Sequence, residues 1–263
     1  MDKIAICAIF KDEALYLLEW LAFHKMIGVD RFFLYDNGSA DGGAELIRSS
    51  AFAQNVTLIE WPERPGQLSA YNHFRVHHSS RFTWAAFIDI DEFIVPLAGT
   101  SIRDILMRRT YQPFAQILLQ WLVFGPSGHQ HRPPGLVIEN YTRRMPVEIE
   151  ASRHIKPIVR TAMMRGIDHT PHSAECDGPS CNTRGEEVLH FPIQLIECHD
   201  VMVVHHYFTK SREEWEFKRQ RGRGDSLLPY GDRIFSDVTE SAVIEDTAAL
   251  RFVPRLKALL GTN

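Results

Sequence analysis

Cysteine is scarce in this chain. Cys7, Cys176, Cys181 and Cys198 are all there is over 263 positions, too few for a disulfide scaffold, and no CxxC pair exists to build a zinc ribbon. Long apolar runs are missing as well. No window approaches the roughly 18 consecutive apolar residues of a membrane span. The opening MDKIAICAIFKDE has neither the longer apolar stretch nor the small-residue cleavage site of a secretory signal. The expectation is a reduced, cytoplasmic protein, at most peripheral at the inner membrane. Charge is not in surplus either: the formal net value is −4, which offers no general pull toward nucleic acid or anionic lipid and leaves room for a local basic patch. Two phosphate-binding fingerprints are also lacking. The stretch NGSADGG at 37–43 is glycine-rich without GxGxxG spacing, and no GxxxxGK[ST] occurs, so dinucleotide folds and P-loop nucleotidases are excluded.

What is present is ordinary globular composition, with 44% hydrophobic and 24% charged residues, which argues against disorder. The length fits one large domain or a domain with an appended lobe. Over the first ninety residues two hydrophobic periods alternate. Strands are expected at 3–9, 31–35, 56–61 and 84–88. Helices are expected at 12–26, with Gly28 as its C-terminal cap, from Asp41 through Ile47, and at 67–80. Alternation at this spacing implies right-handed crossovers and a mostly parallel sheet with helices on both faces. Beyond residue 95 the rhythm loosens. A helix is expected at 102–109, strands of a more mixed sheet at 115–124, 136–141 and 201–207, long loops at 125–135 and 166–185, a polar helix at 211–221 and a packing helix near the end.

In open sheets of this kind ligands bind at the carboxyl ends of the strands. Those ends here carry Lys11-Asp12-Glu13, Asp36-Asn37, Glu60 and Asp89-Ile90-Asp91-Glu92. On an extended segment carboxylates at i and i+2 face the same side, so Asp89 and Asp91 would address one hard cation, Mg²⁺ or Mn²⁺, or its water shell. Two metal-dependent classes place DxD after a buried strand: phosphatases of the haloacid-dehalogenase type and nucleotide-sugar glycosyltransferases. Phe93 at the fifth position of the motif, and its place on the fourth strand, agree less well with the phosphatases.

Five blocks in order carry a resemblance to a known family. They are FKDEALYLLEWLAFHKMIGVDRFFLYDNGSAD (10–41), WAAFIDIDEF (84–93), WLVFGPSGH (121–129), HIKPIVR (154–160) and HHYFTKSREEWEFKRQRGRGD (205–225). The chain resembles the GT-A fold glycosyltransferases of the family-92 and bacterial family-2-like type. The resemblance implies an α/β GT-A fold: a nucleotide-sugar-binding half, residues 1–95, ending in DxD, and an acceptor-binding half, residues 96–263, in one continuous domain. It implies an inverting transfer of a hexose from a UDP-linked donor to a glycan or lipid-linked acceptor, and no nucleic-acid partner. Glu13, Asp36 and Asn37 match positions that hold the nucleoside. Asp89 and Asp91 match the metal and diphosphate motif, with His206 completing the metal site, and Lys210, Lys218 and Arg221 would neutralise the diphosphate. A Mg²⁺-dependent DxD phosphatase and a non-catalytic nucleotide- or glycan-binding protein of the same fold are the alternatives.

The residues of the fifth block support this on their own. Strand alternation sends His205 and His206 to opposite faces, so only one reaches a shared site. Lys218, Arg219, Arg221 and Arg223 form a local basic cluster that suits an anionic donor, or a solvated helix face. Between 169 and 199, His169, His172, Cys176, Cys181, His190, Cys198 and His199 are spaced too irregularly for structural zinc. A long acceptor-facing loop accounts for them better, and Asp168, Glu175 and Asp177 within it are the candidates for the catalytic base. Trp61 and Trp121 are candidates to stack on sugar rings.

Overall fold

The first strand, β1 (Ile4–Phe10), is buried along its whole length, as a strand covered on both faces must be. In a computed structural model describing residues 3–189, 198–224 and 226–262, its alternate residues feed two separate cores. Ile4, Ile6, Ala8 and Phe10 pack with Leu17, Trp20 and Leu21 of helix α1 (Ala14–Met26). Ala5, Cys7 and Ile9 pack with Ala70, Tyr71 and Phe74 of α3 (Gln67–His77). Between them come β2 (Arg31–Asp36), α2 (Gly43–Ser49) and β3 (Val56–Glu60), followed by β4 (Trp84–Phe87). Neighbours β3-β2-β1-β4 are all parallel, so the expected strand–helix half, with helices on both faces, is present. Asp41 serves two helix starts at once: Oδ2 accepts from the Ala14 N–H at 2.7 Å and Oδ1 from the Gly43 N–H at 2.9 Å. That ties α1 to α2 where both expose unpaired backbone donors.

The chain then reverses at Asp89–Asp91 into β5 (Glu92–Pro96). Next come α4 (Ile102–Leu106), β6 (Gln116–Phe124), α5 (Val137–Asn140), β7 (Arg143–Arg144) and β8 (Ile155–Arg160). Short strands β9 (Met164–Gly166), β10 (Glu175–Cys176), β11 (Ser180–Asn182) and β12 (Glu187–Val188) lead to β13 (Met202–Tyr207), α6 (Arg212–Arg221), α7 (Ile234–Ser241), β14 (Ile244–Glu245) and α8 (Val253–Leu260). One sheet runs β12-β11-β6-β8-β4-β1-β2-β3, with β13 joining β5 to β6. The pairs β4–β8 and β6–β8 are antiparallel, while β6–β11 and β6–β13 are parallel, which makes the second half mixed. Among the described residues no helix is long and apolar enough to cross a membrane.

Two expectations are corrected. Residues 136–141 form the short helix α5, not a strand, because Glu19 of α1 accepts the Val137 and Ile138 N–H groups at 2.7 and 3.1 Å and fixes that turn from outside. The stretch 166–185 is not all loop, since it holds β10, β11 and the end of β9.

Candidate active site

The Asp89–Asp91 turn forms the floor of a cavity of about 590 Å³. Its shape is set from below: the indole N–H of Trp20 donates to the carbonyl oxygens of Asp89 and Glu92, at 3.1 and 2.8 Å. At this turn Asp89 and Asp91 have separate partners. Asp89 accepts from the Lys156 ammonium at 2.9 Å and from the Gln67 amide at 2.6 Å. Asp91 accepts from Lys218 at 2.5 Å and stands 3.5 Å from Nε2 of His206. Each carboxylate thus has its own lysine, one from β8 and one from α6.

Register brings His206 to this place. In β13 it pairs with Glu92 of β5 on one side and with Val123 of β6 on the other. His205 faces the opposite way, fully buried, with Nδ1 3.3 Å from the Tyr207 hydroxyl and its ring over Phe124. Helix α6 presents Lys218 because Ser211 and Glu214 close a capping box at its start, the S-x-x-E signature visible in the sequence. At the other end of α6 the Arg221 guanidinium pairs with Glu13 at 2.6 Å and donates to the Lys11 carbonyl at 2.9 Å.

Burial and charge compete throughout. Burial alone would raise Asp91, but Lys218 and His206 outweigh it and hold the carboxyl well below its ordinary value. Burial draws His206 down, partly offset by Asp91, and draws Lys210 down despite Glu13 and Asp91. Burial also opposes the charge on Lys156, yet Asp89 and Glu92 hold it above its usual range. Burial pushes Glu92 well up; it has no exposed surface, and among the described residues its Oε1 has no hydrogen-bond partner.

Of the residues expected in the site, Glu13, Asn37, Asp89, Asp91, His206, Lys218 and Arg221 line the cavity. Asp36 and Lys210 do not. Asp36 accepts the Ser39 N–H at 2.8 Å and shapes the turn after β2. Lys210 is buried, its ammonium 4.2 Å from the centre of the Tyr16 ring. Asn37 donates to the carbonyls of Trp61 and Glu63. Trp121 lines the cavity, stacked on His154 and packed against His206. Trp61 does not line it, and its indole bonds Ser69. The three candidate bases also lie off the cavity lining: Asp168 accepts from Asn72, Glu175 is paired with His169 and Asp177 with Arg165. His190 lies outside the described residues. Lys156, Gln67 and Arg64 escaped the sequence reading, and Glu92 was named there only as part of an acidic strand end; a lone lysine in the apolar strand run IKPIV was the available signal for the first.

Among the described residues, Lys11, Arg64, Lys156, Lys218, Arg221 and Arg223 line the cavity against Glu13, Asp89, Asp91 and Asp237, six basic groups to four acidic. In a chain of net charge −4 this is a local positive surplus, suited to an anion of two or more charges. Among the described residues no three His, Cys, Asp or Glu side chains form a ready metal cage. Two donors do fit a divalent ion: Asp91 Oδ2 and His206 Nε2, 3.5 Å apart, near the roughly 3 Å between adjacent ligands of an octahedral Mg²⁺ or Mn²⁺. Such an ion would take its remaining ligands from phosphate and water, and Lys218 would have to yield part of its hold on Asp91.

Residues 2–171 match the model of glycosyltransferase family 92. The chain is 29% identical over 175 residues to a family-92 protein of Oryza sativa subsp. japonica, covering 66% of this chain and 30% of the relative. It is 29% identical over 173 residues to one of Ricinus communis, covering 65% and 31%. The match thus spans about a third of the length of these curated relatives. Among solved structures it is similar to S. aureus TarS in complex with UDP, with a TM-score of 0.40, 15% identity, and 61% of this chain and 47% of that one covered. It is also similar to glucosyl-3-phosphoglycerate synthase of Mycobacterium tuberculosis with Mn²⁺, UDP and glucosyl-3-phosphoglycerate, with a TM-score of 0.33, 15% identity, and 46% and 44% covered.

Proposed function

The chain belongs to glycosyltransferase family 92, and from that premise we propose that it moves a hexose from a UDP-linked donor to a hydroxyl of a glycan or lipid-linked acceptor, with inversion. The observation that carries this is the cavity's basic surplus set directly over the Asp89–Asp91 turn. A leaving diphosphate is the anion such a site would stabilise as charge develops.

In this reading Asn37 and Arg64 border the nucleoside end, and Lys218 and Arg221, both from α6, face the diphosphate. Asp91 and His206 would hold Mn²⁺ or Mg²⁺, which supplies Lewis-acid stabilisation of the departing phosphate oxygens. Lys156 and Gln67 fix the Asp89 carboxylate and keep the turn in shape. Trp121 offers an aromatic face beside His206 to the transferred sugar. The acceptor enters over Met145, Ile149 and α7, which also line the cavity.

Titration of UDP into the protein with and without Mn²⁺ tests the reading. The wild type should bind UDP more tightly with the metal. Asp91→Asn should keep the fold, since the residue stands at a turn, and lose the metal-dependent gain, a drop of about tenfold or more. Unchanged UDP affinity and unchanged metal dependence in the variant would remove Asp91 from the site.

A further inference from the structure

An inverting displacement needs a base on the acceptor side, and the cavity contains a carboxylate placed for it. The cavity-lining residues of α7 are Ile234, Asp237, Val238 and Ser241, at i, i+3, i+4 and i+7, so they form one face of the helix. Asp237 is exposed, an acid on the solvent-open rim of the cavity, while Phe235 and Val238 are the buried residues of the helix. Among the described residues the other three cavity carboxylates are committed: Glu13 to Arg221, Asp89 to Lys156, and Asp91 to Lys218. Among the described residues the Asp237 side chain has no hydrogen bond or ion pair, and only its backbone N–H is engaged, at 2.9 Å, by the Arg233 carbonyl.

The position of α7 adds a distance argument. Val238 packs with Val123 and Met145. The helix presses so close to the end of β6 that a Cβ on Gly125 would come within 2.7 Å of the Ala242 Cβ. Crossing the sheet from Asp91, the order is β5, β13, β6, with Glu92, His206 and Val123 in register. Two strand spacings put Val123, on which Val238 packs, about 10 Å from Glu92. An in-line transfer needs nearly that length. A metal–oxygen contact of about 2.1 Å, a C–O bond of about 1.4 Å, an approach of about 3–3.5 Å and a base contact of about 2.6–3.2 Å bring the span to roughly 9–10 Å.

We propose that Asp237 is the catalytic base, an assignment that rests on the transferase reading. The carboxylate takes the proton of the acceptor hydroxyl while its oxygen forms the new bond to the anomeric carbon. The bond from that carbon to the diphosphate breaks, and the nucleoside diphosphate leaves with the electron pair.

Donor hydrolysis tests this without an identified acceptor, because water needs the same base. UDP release from a panel of UDP-hexoses with Mn²⁺ is compared in wild type and Asp237→Asn, with and without sodium azide, alongside the UDP affinity of each. The expected result is an affinity within about twofold of wild type and UDP release reduced by about 10²–10³. Azide, a nucleophile with no proton to lose, should restore release and yield a glycosyl azide of inverted configuration. Release at the wild-type rate in Asp237→Asn, or no rescue despite intact UDP binding, would overturn the assignment. A wild type that neither binds UDP nor releases it from any donor would overturn the transferase reading, and the base with it.

Discussion

Lys156 is the residue whose removal should be most costly, and the reason is electrostatic. Its ammonium is 1% exposed, 2.9 Å from Asp89 and 3.5 Å from Glu92, and the Glu92 side chain has no exposure at all. Lys156→Met keeps most of the side-chain volume and deletes the charge. Glu92 would then keep one donor, the Asp89 N–H at 3.0 Å, with its Oε1 already unpaired. Breaking a buried pair from one side costs about 3–5 kcal/mol, because an uncompensated charge remains. In a chain of this size that lowers the melting temperature by roughly 10 °C.

The sign with pH follows from Glu92. Its folded pKa is raised above the ordinary 4.5 by burial. Such a group contributes stability that is complete below its unfolded pKa and is lost as pH rises through the folded value. With the lysine gone the folded value rises further, so the deficit of Lys156→Met should be small near pH 4.5 and grow toward pH 8. Urea unfolding at several pH values measures it. Adding Glu92→Gln removes the stranded charge and should recover more than half of the loss at pH 8. A deficit below about 1 kcal/mol, or one that ignores both pH and Glu92→Gln, would refute the argument.

Two further outcomes follow from groups nearby. Burial raises Glu19 to about 7 even though it accepts two backbone N–H groups, so its contribution is complete below about pH 4.5 and is lost as pH rises through about 7. Glu19→Gln should therefore gain on the wild type in unfolding free energy between pH 5 and 8, and a pH-independent difference would contradict this. Ser211→Ala opens the capping box of α6 and should cost about 1 kcal/mol in denaturant unfolding. It should also weaken UDP binding, because α6 carries Lys218 and Arg221; a stability loss with unchanged UDP affinity would separate the cap from the site.

The parallel half was legible because its signals are local. The all-buried run of β1 is written in consecutive residues, and so is the S-x-x-E start of α6. What stayed hidden is decided from outside each segment. The sequence reading ends the strand at Ile88 and takes Asp89–Asp91 as extended, yet the chain folds back there into β5, where Trp20 holds two carbonyls of the turn. Residues 136–141 read as a strand until Glu19 caps them. The candidate bases were sought in a Cys- and His-rich loop, while Asp237 stands on a helix that the periodicity had not marked. Its proposed role depends on Val238 meeting Val123 across a large gap in sequence.

The same non-local logic bears on the proposed division at residue 95. The residues before it supply Glu13, Asn37, Asp89 and Asp91, and those after it supply Lys156, His206, Lys218 and Arg221. Without the second group Asp89, Asp91 and Glu92 would lose the lysines paired with them, β4 would lose β8, and β5 would lose β13. Charges of one sign held this close are tolerated only when opposite charge is supplied with the fold. The nucleotide half therefore depends on the acceptor half for its electrostatic balance and for its sheet neighbours. The two halves divide the proposed chemistry between donor and acceptor, but the charge pairs that make the donor site stable cross the boundary.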